Sequence, residues 1–424
     1  MPDPVSWYTL GRTVSDPQLI MEMIDEKLLA HNEEPAAHGQ TSEAVYVHRN
    51  DEEFDHPQYT IYNIKLSPST RTVKAFCDAG GAAEFERIQD AIDYVHGEGG
   101  GKIFIKKGTY TPTATIILYS NVELEGEDKD TTILDFSGKS FHGITITGTV
   151  EADIVNVRIR ELTIKEVNET ATNYGIYIRY ADNIEIERCY FTENRNEGFD
   201  SSRGDIKIGL NVSDRTTSNI AVSDCVAENS GNFVEAYGTS RIYVRNNLVD
   251  SNESEAIDLC NCADGYISFN RVLNLGLSGI VVRVQEPEAG LGRIVIEGNT
   301  CTSAGSTGIY VYSALGDPAQ WVTVIGNVII DSNIRGIRLF SAERCTVIGN
   351  VIINTTTNDG IELDGSSYNT ISGNTVTGAD DYGIELFSGS CIKNVVVCNQ
   401  LLGNTLGGLQ DSGSDTEVGH NLVA

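Results

Sequence analysis

The chain has 424 residues, 40% of them hydrophobic, which is enough to bury a sizeable core. Its 60 Asp and Glu residues against 30 Lys and Arg give a net charge of −30 at pH 7. So negative a surface repels phosphate backbones and anionic headgroups, which argues against nucleic-acid and membrane-surface partners. No run of 18 apolar residues predicts a transmembrane helix, and the first ten residues lack the basic and apolar regions of a secretory signal. The nine cysteines are odd in number and lack CxxC spacing, so we expect buried free thiols and synthesis in the cytoplasm.

Residues 1–69 differ from the rest of the chain and are predicted to form a small helical head segment. Asp16 and Pro17 are typical of a helix start, and apolar residues recur at helical spacing from Leu19 to Leu28. His31 and His38 follow, but no further ligand stands at a suitable spacing, which argues against a metal site there.

Residues 70–140 are predicted to hold a capping helix and the first coils of a β structure. Apolar residues from Phe85 to Val95 share one helical face, and Gly97 ends the helix. A glycine run, the short strand Lys102–Ile105 and a Gly-Thr-Tyr sequence at 108–110 come next. This order resembles the first segment of pectate-lyase-like right-handed parallel β-helices, in which a helix closes one end of the coil stack.

Residues 141–424 contain a repeat of 22 to 25 residues at its shortest, which is typical of a solenoid. One column pairs a small residue with an apolar one: Gly175-Ile176, Gly198-Phe199, Ala256-Ile257, Gly279-Ile280, Gly308-Ile309, Gly336-Ile337, Gly360-Ile361, Gly383-Ile384 and Gly408-Leu409. We therefore predict an all-β fold, a right-handed single-stranded parallel β-helix with three short strands in each coil.

A second column consists of asparagines: Asn247, Asn270, Asn299, Asn327, Asn350, Asn374, Asn399 and Asn421. Inward-turned asparagines stack from coil to coil and satisfy the backbone groups of turns, so we interpret this column as structural.

Alternation along the strands defines two outward columns on one sheet. The first is predicted to run through Tyr177, Asp200, Glu235, Asp258, Val281, Tyr310, Arg338, Glu362 and Glu385. The second runs through Arg179, Ser202, Tyr237, Cys260, Arg283, Tyr312, Phe340, Asp364 and Phe387. Three successive carboxylates flanked by tyrosines and arginines make this wall the candidate site.

The candidate catalytic residues are Asp200, Glu235 and Asp258, which we expect to project into solvent from neighbouring coils. With coils about 4.8 Å apart, carboxyl separations suit either retaining or inverting glycoside hydrolysis. Like charges this close should raise at least one pKa. The candidate substrate-binding residues are Tyr177, Arg179, Tyr237, Arg283, Tyr310 and Tyr312, whose rings and guanidinium groups suit sugars.

Alternatives to hydrolysis remain open. A lyase or epimerase would use Arg179 or Arg283 to neutralise a uronate and Tyr237 as proton donor. A non-catalytic adhesin would use the same aromatic side chains for binding alone. No metal and no cofactor is assigned, although clustered carboxylates also suit a bound Ca²⁺. The charge of −30 favours a neutral or weakly charged glycan.

Surplus residues relative to the repeat are predicted at Arg203–Ser218, Gln285–Gly292 and Ser313–Gln320. Insertions of this kind commonly build binding walls on a rigid scaffold, and these would rim the candidate site. A second acidic group, Glu362, Asp364 and Glu385 with Arg338, has no such rim and ranks lower.

Two further resemblances bear on function. The sequence Glu197-Gly198-Phe199-Asp200-Ser201-Ser202 is similar to the Tyr-Gly-Phe-Asp-Pro-His motif of alginate C5-epimerase catalytic modules. Glu197 and Ser202 stand where that family has Tyr and His, and its second His position falls near Glu255, so the resemblance carries over Asp200 alone.

The sequence HNEEPAAHG at 31–39 resembles segments near the N-termini of phage tail-spike proteins. That resemblance implies a β-helix that binds or cleaves a host surface polysaccharide, often as a homotrimer. The sequence therefore predicts a tail-spike-like polysaccharide depolymerase that is associated with a virion or acts outside the cell.

Overall fold

The computed structural model describes residues 73–78, 84–167, 173–194, 204–210, 217–285, 293–314 and 316–424. The chain winds as a right-handed parallel β-solenoid whose coils each contribute strands to three parallel sheets. The predicted fold class is confirmed. The predicted head segment, 1–69, lies outside the described residues.

Sheet 1 contains β1 (Val73–Cys77), β2 (Gly101–Ile105), β5 (Val122–Gly126), β8 (Ile154–Arg160), β11 (Ala181–Glu187), β14 (Ser218–Ser223), β17 (Ser240–Arg245), β20 (Gly265–Ser268), β23 (Ile294–Glu297), β27 (Val322–Ile325), β31 (Thr346–Ile348), β34 (Thr370–Ser372), β37 (Val395–Val397) and β40 (Glu417–Gly419). Sheet 2 contains β4 (Ile116–Ile117), β7 (Ile144–Thr147), β10 (Tyr174–Arg179), β13 (Gly204–Ile208), β16 (Asn232–Tyr237), β19 (Ile257–Cys260), β22 (Ile280–Val284), β25 (Thr307–Ser313), β29 (Arg335–Phe340), β33 (Ile361–Asp364), β36 (Tyr382–Leu386) and β39 (Gly407–Asp411). Sheet 3 contains β3 (Gly108–Tyr110), β6 (Thr132–Asp135), β9 (Thr163–Lys165), β12 (Tyr190–Thr192), β15 (Val226–Glu228), β18 (Leu248–Asp250), β21 (Arg271–Leu275), β24 (Thr300–Ala304), β28 (Val328–Ser332), β32 (Val351–Thr355), β35 (Thr375–Thr377), β38 (Gln400–Leu402) and β41 (Leu422–Val423). A separate pair joins β26 (Ala319–Gln320) to β30 (Ala342–Glu343).

The single described helix, α1 (Ile88–Gly97), packs against the first strands of the stack, as predicted for a cap. Its buried face carries Ile88, Ala91, Ile92 and Val95, which match the helical period of the sequence. Among the described residues, no helix has the length and apolar character that crossing a bilayer requires.

The core is the interior of the coil. Equivalent apolar side chains stack in register along sheet 2, as where Val234 pairs with Ile257 and Ile257 with Ile280. In most coils the residue before this apolar position is Gly or Ala, which leaves room for the next coil: a Cβ on Gly336 would approach Ile352 Cγ2 to 2.4 Å and Gly360 O to 2.5 Å. The repeat therefore reflects close approach of backbones.

The asparagine column is an internal ladder, as interpreted. Asn327, for example, is fully buried, and both its backbone N–H and its Nδ2 donate to Oδ1 of Asn350, at 2.9 and 3.0 Å. Its Nδ2 also donates to Ile296 O on the preceding coil at 2.9 Å. The same contacts recur from Asn247 to Asn421, so each turn is satisfied by the next coil. All nine cysteines are free, and eight are buried; Cys398 is exposed.

One coil differs from its predicted register. The position equivalent to Gly175-Ile176 is occupied by Asp205-Ile206, because Ile176 pairs with Ile206 and Ile206 with Val234. The pair Gly198-Phe199, which has the expected residue types, precedes strand β13 and lies outside the described residues. An aspartate buried at a position that is elsewhere small or apolar concealed the true register from sequence analysis.

Candidate functional site

A cleft of about 320 Å³ opens on the outer face of sheet 2, across strands β16, β19, β22 and β25. Val234, Ala236, Ile257 and Leu259 turn inward, and alternation therefore turns the residues between them outward into the cleft. The lining residues are Asn232, Glu235, Tyr237, Glu255, Asp258, Leu277, Ser278, Val281, Arg283, Ser306, Tyr310 and Tyr312.

Six of the nine predicted site residues line this cleft: Glu235, Asp258, Tyr237, Arg283, Tyr310 and Tyr312. Glu235 and Asp258 are direct partners on adjacent strands, as the repeat predicts. Tyr177 and Arg179 lie on the same face, on β10, but do not line the cleft. The outward alternation along sheet 2 thus brings most of the candidate residues together.

The predicted place of Asp200 in the outward column is wrong. Lys207 pairs with Tyr177 on one side and with Glu235 on the other, so a cation occupies the position assigned to Asp200. Gly209 likewise takes the position assigned to Ser202, since Ile178 pairs with Ile208. Asp200 itself lies outside the described residues.

The same register shift overturns one predicted insertion. Strand β13 lies within the range Arg203–Ser218, so this range is not a continuous insertion. Residues 286–292 of the second range lie outside the described residues. The third range includes strand β26, which pairs with β30 on the next coil.

The expectation that the carboxylates project freely into solvent is also wrong. Glu235 and Asp258 face outward, yet each residue is only 4% exposed. Cationic and aromatic side chains from neighbouring coils fold over them, and this covering could not be read from strand alternation. The acidic wall is therefore a partly desolvated network.

Glu235 is held by two neighbours from coils on its N-terminal side. Lys207 Nζ lies 2.8 Å from Glu235 Oε1, and the Tyr174 hydroxyl donates to Oε2 at 3.2 Å. Lys207 Nζ also lies 3.9 Å from the centre of the Tyr237 ring. Burial lowers the pKa of Lys207, and the neighbouring Glu235 opposes that shift.

Asp258 forms a bidentate ion pair with Arg283. Arg283 Nε donates to Oδ1 at 2.9 Å and Nη2 to Oδ2 at 2.5 Å, while Nη2 also donates to the Tyr237 hydroxyl at 2.9 Å. Burial nevertheless raises the pKa of Asp258 to about 6; Arg283 opposes the shift and Glu235 adds to it. The carboxyl therefore changes protonation close to neutral pH.

Aromatic side chains form the remaining wall. The rings of Tyr310 and Tyr312 stack with centres 4.4 Å apart and an interplanar angle of 21°. Burial raises the pKa of Tyr237, and Glu235 adds to the shift, so this phenol keeps its proton at neutral pH. Such a wall offers apolar ring surface and hydroxyl groups to a ligand.

Glu255 is a cleft residue that sequence analysis did not select. It has no ion pair among the described residues, and its Oε2 accepts a hydrogen bond from Ser254 Oγ at 2.6 Å. Its charge contributes to the raised pKa of Asp258. The sequence feature that could have identified Glu255 is its position directly before the repeat pair Ala256-Ile257.

The face continues beyond the cleft toward the N-terminal coils. His142 stacks on Tyr177 at 4.7 Å and accepts a hydrogen bond from the Tyr174 backbone N–H at its Nδ1, at 3.1 Å. Arg179 lies over the Tyr180 ring, 4.5 Å from its centre. Tyr174 links this group to the cleft through Glu235.

The lower-ranked acidic group lies on later coils. Two of its members, Glu362 and Glu385, lie beside Asp359, which was not predicted; the carboxylate oxygens of these three lie within 4.8 Å of one another and could hold a cation. Asp364 instead pairs with Arg338, 3.1 Å away. Glu362 is already paired with Arg335 and Arg338. Burial raises the pKa of Asp359, and Glu385 adds to the shift, so this pair tends to retain a proton.

The fold and the outer-face site are those of a β-solenoid with a cleft on one sheet. Residues 142–314 and 288–423 match the family described as the right-handed β-helix region, and the chain belongs to that family. A comparison of the sequence with curated proteins found no match.

Solved structures share the fold. The A-module of Azotobacter vinelandii mannuronan C-5 epimerase AlgE6 is 22% identical with a TM-score of 0.68, covering 79% of this chain and 93% of that one. The periplasmic alginate epimerase AlgG is 15% identical with a TM-score of 0.58, covering 74% of this chain and 78% of that one. The Dettilon tailspike protein is 19% identical with a TM-score of 0.60, covering 78% of this chain and 64% of that one.

Proposed function

We propose that this protein binds a polysaccharide in the sheet 2 cleft and hydrolyses its glycosidic bonds. The observation that carries the proposal is the pair Glu235 and Asp258, on adjacent strands in a cleft with aromatic walls. The fold is shared with epimerases named for mannuronan and alginate, which are polysaccharides, and with tailspike proteins.

Neighbouring strands lie about 4.8 Å apart, which is close to the carboxyl separation used in retaining hydrolysis, about 5 Å. In that mechanism Glu235 attacks the anomeric carbon, while Asp258 gives its proton to the leaving glycosidic oxygen. A glycosyl ester on Glu235 results. Asp258 then removes a proton from water, which cleaves the ester and restores both carboxyl groups.

The electrostatics support this division of roles. The pKa of Asp258, raised to about 6, leaves a fraction of the carboxyl protonated near neutral pH, as a general acid requires. Lys207 Nζ lies 2.8 Å from Glu235 Oε1, and this contact holds the attacking carboxylate in place in the cleft.

A uronate lyase or epimerase is the less favoured chemistry. It needs a cation free to neutralise the substrate carboxylate, whereas Lys207 and Arg283 are paired with Glu235 and Asp258. For the same reason we propose a neutral or weakly charged glycan as substrate.

Non-catalytic binding is the second candidate. The side chains that cover Glu235 and Asp258 favour it, because both residues are only 4% exposed and are poorly accessible to a substrate. An adhesin of this kind would use Tyr237, Tyr310 and Tyr312 to bind a glycan without cutting it.

The experiment is incubation of the full chain with a panel of bacterial and algal polysaccharides. Shorter products without ultraviolet absorbance indicate hydrolysis; absorbance from an unsaturated product indicates a lyase. Unchanged polymer length with measurable binding indicates an adhesin.

The variants Glu235→Gln and Asp258→Asn should each lower the rate by about 100-fold or more. Glu185→Gln is the matched control, because Glu185 is also an outward carboxylate with little exposure that is paired with a cation, Arg158, but it lies on sheet 1. Hydrolysis that persists in both cleft variants would contradict the proposed roles.

We further propose a tail-spike-like setting, in which a homotrimer acts outside the cell as part of a virion. The structural likeness to tailspike proteins supports this setting. Light scattering of the purified full chain should give a molecular mass of three copies. A monomer mass at all protein concentrations would contradict the trimer.

A further inference from the structure

A row of exposed side chains runs along the turn between sheet 2 and sheet 1. It consists of Trp321, Arg344, Tyr368 and Lys393, and we name it the turn ladder. Gln320 pairs with Glu343 and Glu343 with Ser367, so the residues that follow them stand one above another on successive coils. Thr370 pairs with Val395, which places Lys393 beside Tyr368.

The ladder alternates aromatic and cationic groups. The Arg344 guanidinium lies 5.6 Å from the centre of the Trp321 ring and 5.7 Å from that of Tyr368. Lys393 Nζ lies 5.5 Å from the Tyr368 ring centre on the other side. Each aromatic ring therefore orients a cation at the surface.

Packing in the core does not account for the aromatic residues of the turn ladder. Trp321 is 52% exposed and Tyr368 48%. Both adopt left-handed backbone conformations, with φ of 61° and 58°, which bulky side chains rarely occupy. Four of the earlier coils carry asparagine at the equivalent position, which suits that conformation better: Asn121, Asn156, Asn183 and Asn219. Asp264 and Arg241 occupy it on two coils in between.

We propose that the turn ladder is a second polysaccharide-binding site, separate from the cleft, which takes a linear glycan chain lying along the solenoid axis. The inference rests on the proposed action of the chain on polysaccharides. Exposed rings offer surface to the C–H groups of sugars, and the cations donate hydrogen bonds to hydroxyl or acidic groups.

The dimensions favour a glycan over a second copy of the chain. Four coils span about 14 Å at the ordinary strand spacing, and the ladder is one side chain wide. A stable protein interface buries about 800 Å² on each partner, far more than this strip provides. Trp321 and Tyr368 lie two coils, or about 10 Å, apart, which is roughly the length of a disaccharide unit.

The ladder begins on the coil that also carries Tyr312 of the cleft, and it continues toward later coils. Arg344 is paired with Glu343 at 3.2 Å, whereas Lys393 has no ion pair among the described residues. A free ammonium at one end of the strip can therefore contact a polar or acidic substituent of the bound chain.

The test compares the full chain with the double variant Trp321→Asn/Tyr368→Asn in affinity electrophoresis through gels containing dextran, galactan, alginate or polygalacturonate. Asparagine suits the left-handed conformation, so the fold should be retained. Phe269→Asn is the matched control, since Phe269 is 58% exposed with φ of 56° on a different turn.

We expect the double variant to lose affinity for at least one polymer tenfold or more, while Phe269→Asn binds as the unmodified protein does. Cleavage of short soluble oligosaccharides, which probes the cleft alone, should be unchanged in the double variant. Failure of the proposed function would appear separately, as no cleavage by the unmodified chain.

Three results would overturn the proposal. One is equal polymer affinity in the double variant and the unmodified protein, and another is no polymer binding by the unmodified protein. The third is conversion of an oligomer to a monomer by the double variant in light scattering, which would identify the ladder as an interface between copies.

Discussion

Asp205 offers a sensitive test of the coil register. Its side chain is fully buried, Oδ1 accepts a hydrogen bond from Asn194 Nδ2 at 2.8 Å, and Oδ2 has no hydrogen-bond partner within the described part of the chain. Burial raises its pKa from 3.8 to about 8, although the Asn194 hydrogen bond opposes that shift. The folded protein therefore holds Asp205 as the neutral acid at pH 7.

The cost of keeping this acid neutral depends on pH. Below pH 4 the carboxyl is protonated in both the folded and unfolded states and has no effect. Between pH 4 and 8 the unfolded chain releases the proton and the folded chain keeps it, so stability falls by about 1.4 kcal/mol per pH unit. At pH 7 the difference from 3.8 is about three units, or about 4 kcal/mol.

Asp205→Asn removes this cost because the amide is neutral in both states. The amide Nδ2 takes the place of Oδ2, for which the described residues offer no partner, so no hydrogen bond seen in the structure is lost. The free energy of unfolding of the variant should therefore exceed that of the unmodified chain by about 4 kcal/mol at pH 7.

The assay is chemical denaturation of both proteins at half-unit steps from pH 5 to pH 9. The difference should rise with pH and become constant above about pH 8. The exposed Asp380→Asn serves as a control with no comparable rise. A difference that does not change with pH, or one that falls, would refute burial of an acidic group at this position.

Two further changes probe the cleft and the ladder of asparagines. Arg283→Met leaves Asp258 buried without its partner and should lower the free energy of unfolding at pH 8 by about 3–5 kcal/mol. The loss should be smaller near pH 5, where Asp258 is protonated. Chemical denaturation at pH 5 and at pH 8 measures both losses. Asn327→Ala removes donors to Ile296 O and Asn350 Oδ1 and should cost about 3 kcal/mol, measured as a lower denaturation midpoint.

Each of these changes has a matched comparison. Arg293→Met removes an exposed arginine, 3.6 Å from Asp264, and should have little effect on stability. Asn354→Gly removes an exposed asparagine side chain on a neighbouring coil at a φ of 56°, which glycine adopts readily, and should also be mild. If Arg283→Met lost equal stability at pH 5 and pH 8, the protonation of Asp258 would be contradicted. If Asn327→Ala left stability unchanged, the structural role of the asparagine ladder would be contradicted.

Most of the fold could be predicted because its cause is local and repeated. Gly336-Ile337 and its equivalents recur since each coil must let the next backbone approach, and the helix at 88–97 shows its apolar period directly. The coil at 204–208 escaped prediction because Asp205 occupies a position that is small or apolar in most other coils.

The site could be predicted only in part. Alternation of side chains was enough to place Glu235, Asp258 and Arg283 on one wall. It could not show that Lys207 and Arg283 fold across the carboxylates, because that covering depends on side-chain conformations of residues on neighbouring coils. Burial, and the protonation behaviour that follows from it, required the structure.

The asparagine ladder makes the coil a modular unit of length. Every rung presents the same acceptor to the rung before it and the same donors to the rung after, so a whole coil added or removed meets identical partners. The distance between the cleft and the later coils can therefore change in steps of one strand spacing, about 4.8 Å, without any redesign of the interior.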